Sequence, residues 1–300
     1  MSDKQWTVTR ERAEFRRQGV TLRGDLLHVE EPLGMAVLLH GGGQTRHSWS
    51  GTAEALAQAS WATLSLDARG HGESEWAPDG DYSLDVQAQD LCFVLSSLRA
   101  QRAGRAAAAL GRPVLIGASM GGMTSLIAEG ELGPVARALV LVDVVPRIEP
   151  EGVARIMSFM NAHLDGFASL EAVADAVAAY NPSRRRGADL SGLKKNVRLQ
   201  ADGRWYWHWD PALLKLPTEE EHAEHVERML RAAGRVQAPT LVVRGAESDV
   251  VSDSGVQELL SHLRDGSTVS VAAAGHMVAG DENTAFSRAI LNYLAQLPRA

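Results

Sequence analysis

The chain of 300 residues contains a single cysteine, Cys92. One thiol cannot form an intrachain disulfide, and it also excludes a cluster of thiolate ligands around a metal ion. Cys92 falls within the apolar pattern of a predicted helix, so we expect it to be a core residue. Nothing in the cysteine content therefore points to a redox or thiolate-metal function.

The sequence also lacks an excess of positive charge and any long apolar run. Its 30 Lys and Arg against 37 Asp and Glu give a formal net charge of −7, which argues against nucleic acid and anionic membranes as partners. No stretch approaches the roughly 18 apolar residues that a membrane-spanning helix needs, and the first residues lack the apolar core of a secretory signal. We therefore expect a cytoplasmic protein with no membrane partner.

Apolar residues make up 45% of the chain, enough for one large domain or a domain with an insertion. Short apolar runs alternate with longer helical patterns, which predicts an α/β fold with a mostly parallel central sheet and helices on both faces. The predicted strands cover 26–29, 35–39, 62–66, 114–116, 138–142, 240–243 and 267–271, and the clearest helices cover 48–59, 84–98 and 284–296.

The alternation stops between Pro146 and Val236, where a helical pattern is punctuated by prolines. We interpret residues 146–236 as a helical cap inserted into a core domain formed by 1–145 and 237–300. Such a cap would cover the catalytic edge, exclude water and shape the substrate pocket. Trp205 and Trp207, from an unusual aromatic run, are candidate pocket residues. The alternative is that these rings pack the cap onto the core domain.

One serine stands between glycines directly after an apolar run, in the segment Gly117-Ala-Ser-Met-Gly121. This pattern is typical of a nucleophile elbow, a strand-to-helix turn so sharp that positions two before and two after the serine must lack side chains. Ser119 would project its hydroxyl above the sheet edge. The Met120 amide would lie at the start of a helix, where negative charge is stabilised. A glycine-rich turn alone also occurs in ordinary loops, so partners are needed.

A base and an acid follow later in the chain, each just beyond a predicted strand. His276 follows the run 267–271, and Asp249 follows 240–243. Because the carboxyl ends of parallel strands share one edge of a sheet, we expect Ser119, Asp249 and His276 to meet there as a catalytic triad. Asp143, at the end of the run 138–142, is the alternative acid.

Several segments together resemble the α/β-hydrolases of the capped esterase, haloperoxidase and epoxide-hydrolase-like branch. The likeness extends over nearly the whole chain and is carried by His40-Gly-Gly-Gly43, Asp67-Ala-Arg-Gly-His-Gly72, Gly117-Ala-Ser-Met-Gly-Gly122, 245–249 and Gly275-His276. It implies that the amides of Gly42 and Met120 form the oxyanion hole, with Gly43 beside them as a candidate pocket residue. It also implies that Arg69 is an internal ion-pair partner.

The serine at the nucleophile position separates this chain from epoxide hydrolases and haloalkane dehalogenases, which attack with a carboxylate. An alkyl–serine ether would be a dead end, whereas a serine ester can be hydrolysed. We therefore predict a serine hydrolase that cleaves small-molecule carboxylic esters or lactones through an acyl-enzyme. We expect no cofactor and no metal, since His222 and His225 lack an evident third ligand, and a monomer or homodimer.

Other functions are compatible with the same residues. A cofactor-free perhydrolase or haloperoxidase would use peroxide in place of water. A carbon–carbon bond hydrolase would share the Ser-Met-Gly-Gly elbow, but those enzymes usually carry tryptophan after the catalytic histidine, where this chain has Met277. A non-enzymatic ligand receptor would keep the fold and triad and signal through the cap.

Overall fold

The computed structural model describes residues 8–101, 111–181, 189–215, 218–272, 274–276 and 283–298. Met277 lies outside the described residues. Within these ranges, the main sheet has eight strands: β1 (Thr9–Arg17), β2 (Val20–His28), β3 (Gly34–Leu39), β4 (Trp61–Leu66), β5 (Val114–Ala118), β6 (Ala138–Val142), β9 (Thr240–Gly245) and β10 (Gly266–Val271).

The strands lie side by side in the order β1-β2-β4-β3-β5-β6-β9-β10. β2 is antiparallel to both of its neighbours, β1 and β4, and all neighbouring pairs from β4 to β10 are parallel. The predicted fold class is confirmed.

Helices cover both faces of this sheet. These helices are α1 (Ser50–Gln58), α2 (Leu84–Gln101), α3 (Met120–Glu131), α6 (Glu219–Ala233), α7 (Asp253–His262) and α8 (Asn283–Gln296), whereas α4 (Pro150–Asn161) and α5 (Leu170–Tyr180) lie away from the sheet faces. Single 3-10 turns span Arg46–Trp49, Ser191–Lys195 and Pro211–Leu214. Within the described ranges, no helix combines the length and apolar character that crossing a membrane requires.

The sheet divides the apolar core into two clusters because alternate side chains of a strand point to opposite faces. In β3, Val37 packs in the cluster formed with α2, α3, α6 and α7, whereas Leu38 packs in the cluster formed with α1 and α8. β3 and β6 are buried along their whole length, which is why they read as continuous apolar runs. Cys92, on α2, is partly buried against the first cluster.

Two features of the sheet were not predicted. β1 is an edge strand with mostly exposed side chains, and Phe15 is its one buried residue, so it carries no apolar run to identify it. β2 begins at Val20, six residues before the predicted start, because its buried positions alternate with half-buried polar ones. Alternation of this kind is typical of a strand with one buried face.

The segment between β6 and β9 contains α4, α5, a hairpin of β7 (Val197–Leu199) and β8 (Trp205–Trp207), and α6. The hairpin differs from the helical cap that we expected, since the aromatic run alternates with a period of two along β8. Buried apolar residues of this segment, from α4 to the residues just after β8, form a cluster that we call the insertion cluster: Met160, Phe167, Val173, Val197, Trp207 and Trp209.

Helix α6 belongs with the core rather than with the insertion. It buries Met229, Ala232 and Ala233 in the first sheet cluster, and it packs closely on α3, where a β-carbon on Gly130 would overlap the Ala232 carbonyl. The expected division into core and cap, with its boundary at Val236, stays a prediction, and this packing favours an insertion that ends before α6.

Candidate active site

Ser119 lies in the turn that joins β5 to α3. Its φ of 45° and ψ of −114° are costly for a residue with a side chain. Two glycines allow the turn: a β-carbon on Gly117 would overlap the Gly121 carbonyl, and one on Gly121 would overlap the Leu39 carbonyl. The steric reason that led us to expect glycine at both positions is therefore present in the fold, and the strained backbone presents the serine at the sheet edge.

The backbone of Ser119 ties this turn to the next strand. Its amide donates to the Val142 carbonyl at 3.0 Å, and its carbonyl accepts from the Met123 amide at 2.9 Å. Val142 is the last residue of β6, so Ser119 and Asp143 stand at neighbouring strand ends. On the other side, the loop after β3 approaches the serine, since a β-carbon on Gly41 would lie 3.3 Å from the Ser119 Cβ.

Asp143 is the acid that meets His276. The Asp143 side chain is 1% exposed, and its Oδ2 accepts from His276 Nδ1 at 2.7 Å and from the Ser248 hydroxyl at 2.6 Å. Its Oδ1 accepts from the Gly245 amide at 3.0 Å. Because Nδ1 donates to the carboxylate, Nε2 is the nitrogen of the neutral imidazole that can take up a proton. The carboxylate therefore fixes both the orientation and the tautomer of the ring.

Asp249 was the preferred acid, and the structure corrects that expectation. Its carboxylate accepts two hydrogen bonds from Arg155 of α4, at 2.7 and 2.9 Å, and the Arg155 hydrogen bond lowers the Asp249 pKa. Asp249 therefore links the insertion to the loop after β9, while the imidazole of His276 is bonded to Asp143. The sequence gives both carboxylates the same setting, just past a strand.

The loop His40–Gln44, which we call the oxyanion loop, follows β3. It carries the Gly42 amide, and α3 carries the Met120 amide; these are the two expected oxyanion donors. Gly41 O accepts from His40 Nδ1 at 2.8 Å and from the Gln44 amide at 3.1 Å, which fixes the peptide that carries the Gly42 N–H. Within the part of the chain that the structure describes, neither the Gly42 nor the Met120 amide donates to a protein acceptor. The Met120 amide is one of the first-turn N–H groups that a helix leaves without partners.

The sequence analysis did not single out two neighbours of the site, Ser248 and His208, whereas a third, His71, lies in the segment Asp67–Gly72 that carries the family resemblance. Ser248 holds Asp143 as described above. His71 and His208 are each 1% exposed and bond the backbone around Gly43. Ser248 is adjacent in sequence to Asp249, a feature that could have identified it. His208 lies within the aromatic run, where only tryptophans were candidate pocket residues.

The candidate pocket residues of the insertion pack inside it. Trp207 is 5% exposed, donates from Nε1 to Ala162 O at 3.0 Å, and stacks on Trp209 with ring centroids 4.7 Å apart. Trp205 exchanges backbone hydrogen bonds with Phe167. The burial of the Trp207 ring in the insertion cluster favours the packing alternative, and its pocket role stays a prediction. Trp205 packs against the same cluster and is only partly buried.

Gly43 lies where the insertion meets the oxyanion loop. It adopts a φ of +70°, and a β-carbon on it would lie 3.2 Å from the Met160 sulfur of α4. Its carbonyl faces His208 of the insertion at 3.3 Å. Gly43 is therefore in contact with the insertion, as a residue near a covered pocket should be.

The segment Asp67–Gly72 organises the sheet edge. Arg69 donates to the Asp90 carboxylate from Nε at 2.6 Å and from Nη2 at 2.9 Å, and both side chains are buried. The ion pair expected for Arg69 is thus present. Asp67 is fully buried. Its carboxylate accepts hydrogen bonds from the Arg46 side chain and, at 2.9 Å, from the Glu73 amide. Asp67 therefore connects the chain that follows the oxyanion loop to the chain that follows this segment.

Comparisons with known proteins identify the family and agree with the fold. Residues 36–289 match the family model described as the alpha/beta hydrolase family. The chain is 29% identical over 258 residues to esterase Rv0045c of Mycobacterium tuberculosis, covering 82% of this chain and 78% of that protein. It is 26% identical over 250 residues to the 3-hydroxybutyrate-oligomer hydrolase of Cupriavidus necator, covering 80% and 81%. A solved structure of the M. tuberculosis esterase matches with a TM-score of 0.72 at 24% identity, covering 96% of this chain and 92% of that one.

Proposed function

This chain belongs to the alpha/beta hydrolase family, and we propose that it is a serine hydrolase that cleaves carboxylic esters or lactones through an acyl-enzyme. The observation that carries the proposal is the 2.7 Å hydrogen bond between His276 and Asp143, at the same sheet edge as the strained elbow of Ser119. A nucleophile, a base and an acid that orients the base are the parts that such chemistry requires.

In the proposed mechanism, the Ser119 oxygen attacks the ester carbonyl while His276 Nε2 takes up the hydroxyl proton. Asp143 stabilises the imidazolium that forms. The tetrahedral intermediate then collapses, the C–O bond to the alcohol breaks, and His276 returns the proton to the departing alcohol. Water attacks the acyl-enzyme with His276 again as base, which releases the carboxylic acid and restores the serine.

The negative oxygen of each tetrahedral intermediate is assigned to the amides of Gly42 and Met120. Their support is that both N–H groups lack an acceptor among the described residues and that Met120 starts α3, where the helix dipole favours negative charge. Loss of one such donor typically costs about 2.7–4 kcal/mol of transition-state stabilisation. These two amides therefore account for a large share of the proposed rate enhancement.

The substrate class follows from the nucleophile and from the relatives. A serine forms an ester intermediate that water can cleave, which suits acyl transfer. The relatives named as an esterase and as a 3-hydroxybutyrate-oligomer hydrolase support carboxylic ester bonds as the target. The insertion is proposed to act as a lid, supported by the contact of Met160 with Gly43 and of Gly152 with the Asp249 backbone.

A series of p-nitrophenyl esters of increasing acyl length tests the proposal. We expect Ser119→Ala to lower kcat/KM by about 10⁴-fold or more across the series, because no other group can form the acyl-enzyme. Ser96→Ala, on the exposed side of α2, is the matched control and should match wild type. A fluorophosphonate should label wild type at Ser119. Retained turnover in Ser119→Ala would overturn the proposal.

A further inference from the structure

Three buried imidazoles that take no part in the proposed triad lie in or against the oxyanion loop: those of His40, His71 and His208. The rings of His40 and His71 have centroids 5.0 Å apart, and those of His71 and His208 are 5.9 Å apart. Each side chain belongs to a residue that is 1% exposed. All six ring nitrogens bond backbone groups: those of Gly41 and Ala68 for His40, Arg69 and Gly43 for His71, and Gly72 and Gly43 for His208.

The bonding pattern requires all three rings to be neutral. One nitrogen of each ring faces a backbone N–H, which can only donate, so that nitrogen must carry a lone pair. The other nitrogen faces a carbonyl oxygen and must carry the proton. Burial agrees with this assignment, since it lowers the pKa of His40 to about 4 and that of His71 to about 3, and it holds the pKa of His208 well below its usual range.

Gly43 is the point where two of these rings meet the oxyanion loop. Its N–H donates to His71 Nε2 at 3.2 Å, and its carbonyl accepts from His208 Nε2 at 3.3 Å. Both peptide groups of this residue are therefore fixed, directly after Gly42. Gly43 has a φ of +70°, which glycine adopts readily because it lacks a β-carbon. The same lack of a side chain leaves its carbonyl free to rotate, and the hydrogen bonds remove this freedom.

His208 differs from the other two because the insertion supplies it. Its Nδ1 accepts from the Gly72 amide at 2.8 Å, and its own backbone amide donates to Asn196 O at 3.2 Å. The ring also stands edge-on to Trp209 of the insertion cluster. One side chain thus joins the insertion, the segment Asp67–Gly72 and the oxyanion loop.

We propose that His208 is a positioning residue, whose hydrogen bond to the Gly43 carbonyl holds the oxyanion loop in the conformation that aims the Gly42 N–H at the developing negative charge. This inference rests on the proposed function, because it concerns the same oxyanion hole. The insertion then acts on the chemical steps themselves, in addition to covering the site. Since both acylation and deacylation use the hole, loss of the bond slows both steps and leaves KM nearly unchanged.

Two substitutions separate the two hydrogen bonds of the ring. His208→Asn keeps an acceptor near the Nδ1 position for the Gly72 amide and loses the donor to Gly43. His208→Gln keeps a donor near the Nε2 position and loses the acceptor. We expect His208→Asn to lower kcat at least about fivefold, the value of one hydrogen bond, with KM within about twofold of wild type. His208→Gln should stay within about twofold in kcat.

A trifluoromethyl ketone provides a readout that a merely structural role would not change, because its adduct with Ser119 places an oxyanion in the hole. Its affinity should fall for His208→Asn by the same factor as kcat. Phe167→Leu, which disturbs the insertion cluster and leaves both hydrogen bonds of the His208 ring in place, is the control. It should lower the melting temperature while leaving kcat per folded molecule unchanged.

Equal kcat and ketone affinity in His208→Asn and wild type would overturn the inference, as would equal losses in His208→Asn and His208→Gln. The tautomer gives a second test on wild type that needs no variant. Nitrogen NMR of ¹⁵N-histidine protein should show His208 protonated at Nε2, and protonation at Nδ1 would overturn the inference. Turnover that survives Ser119→Ala would instead refute the proposed function, whatever the His208 variants do.

Discussion

His276 donates from Nδ1 to Asp143 Oδ2 at 2.7 Å, and the same carboxylate accepts from the Ser248 hydroxyl and the Gly245 amide. The carboxylate is buried, and these three protein groups fix its position. A neutral ring held this way carries its proton on Nδ1 and a lone pair on Nε2. In the proposed mechanism, Asp143 is therefore the group that keeps His276 able to act as a base.

Replacing this acid gives the sharpest prediction. Asp143→Asn should lower kcat for p-nitrophenyl acetate by about 10⁴-fold, because an amide at this position favours the tautomer with the proton on Nε2. Asp249→Asn, which removes the charged partner of Arg155 and leaves the Asp143–His276 hydrogen bond in place, should stay within about threefold of wild type. Steady-state kinetics at pH 7.5 compare the two. A larger loss in Asp249→Asn than in Asp143→Asn would contradict the assignment of the acid.

The elbow glycines predict a steric effect on stability. Gly121→Ala should lower the free energy of unfolding by about 3 kcal/mol or more, because the new β-carbon overlaps the Leu39 carbonyl, and a backbone atom in the central sheet cannot move aside cheaply. Gly192→Ala is the control, since a β-carbon there meets nothing within 4 Å. Urea denaturation followed by far-UV circular dichroism measures both. A stable Gly121→Ala protein would show that the turn is less tight than described.

The parts of the site that the sequence predicted are those with a recognisable steric signature. Gly117 is required by the turn itself, where its β-carbon would overlap the Gly121 carbonyl, and Gly121 is required by the close approach of the Leu39 carbonyl of β3. The strand ends likewise follow from apolar runs buried on both faces. This is why the α/β fold and the glycine-flanked turn at Ser119 could be predicted from residue order.

The acid escaped prediction because its choice depends on a distant residue. Asp143 and Asp249 both follow strands of the same sheet, but Asp249 is hydrogen-bonded to Arg155, 94 positions away in the insertion, whereas His276 is hydrogen-bonded to Asp143. The edge strand β1 escaped for a different reason. Its one buried side chain is Phe15, so its sequence has no periodic apolar pattern. The segment forms a strand because it pairs with β2, and this pairing cannot be read from its own residues.

Two bidentate Arg–Asp pairs differ chiefly in burial, and this predicts different costs of breaking them. Arg69→Met leaves the buried Asp90 carboxylate with Arg17 as its one remaining charged partner in the described structure, and should lower the free energy of unfolding by about 3 kcal/mol. Arg155→Met breaks a pair whose side chains are 43% and 42% exposed, so solvent screening limits the loss to about 1 kcal/mol or less. Equal losses in the two variants, measured by urea denaturation, would refute the role of burial.

The buried histidines predict that stability falls as the solution becomes more acidic. His40 and His71 have pKa values of about 4 and about 3 in the folded protein, against 6.5 as their ordinary value, and the His208 pKa is lowered in the same direction. Between pH 6.5 and 4 the unfolded chain therefore binds more protons at these positions than the folded protein does. Each such group lowers the free energy of unfolding by about 1.4 kcal/mol per pH unit. The loss is largest within that window and absent above it.

Urea denaturation at pH 7.0, 6.0 and 5.5 measures this dependence directly. Three such groups together should give a slope of up to about 4 kcal/mol per pH unit in the acid part of the range. His208→Gln removes one of them, so its slope should be smaller by about 1.4 kcal/mol per pH unit even though the variant is less stable at every pH. The slope is the informative quantity because the lost hydrogen bond to Gly72 shifts stability equally at each pH, whereas the lost titration changes only how stability varies with pH. A free energy of unfolding that is flat from pH 6.5 to 5.5 would mean that these imidazoles are not held neutral in the fold.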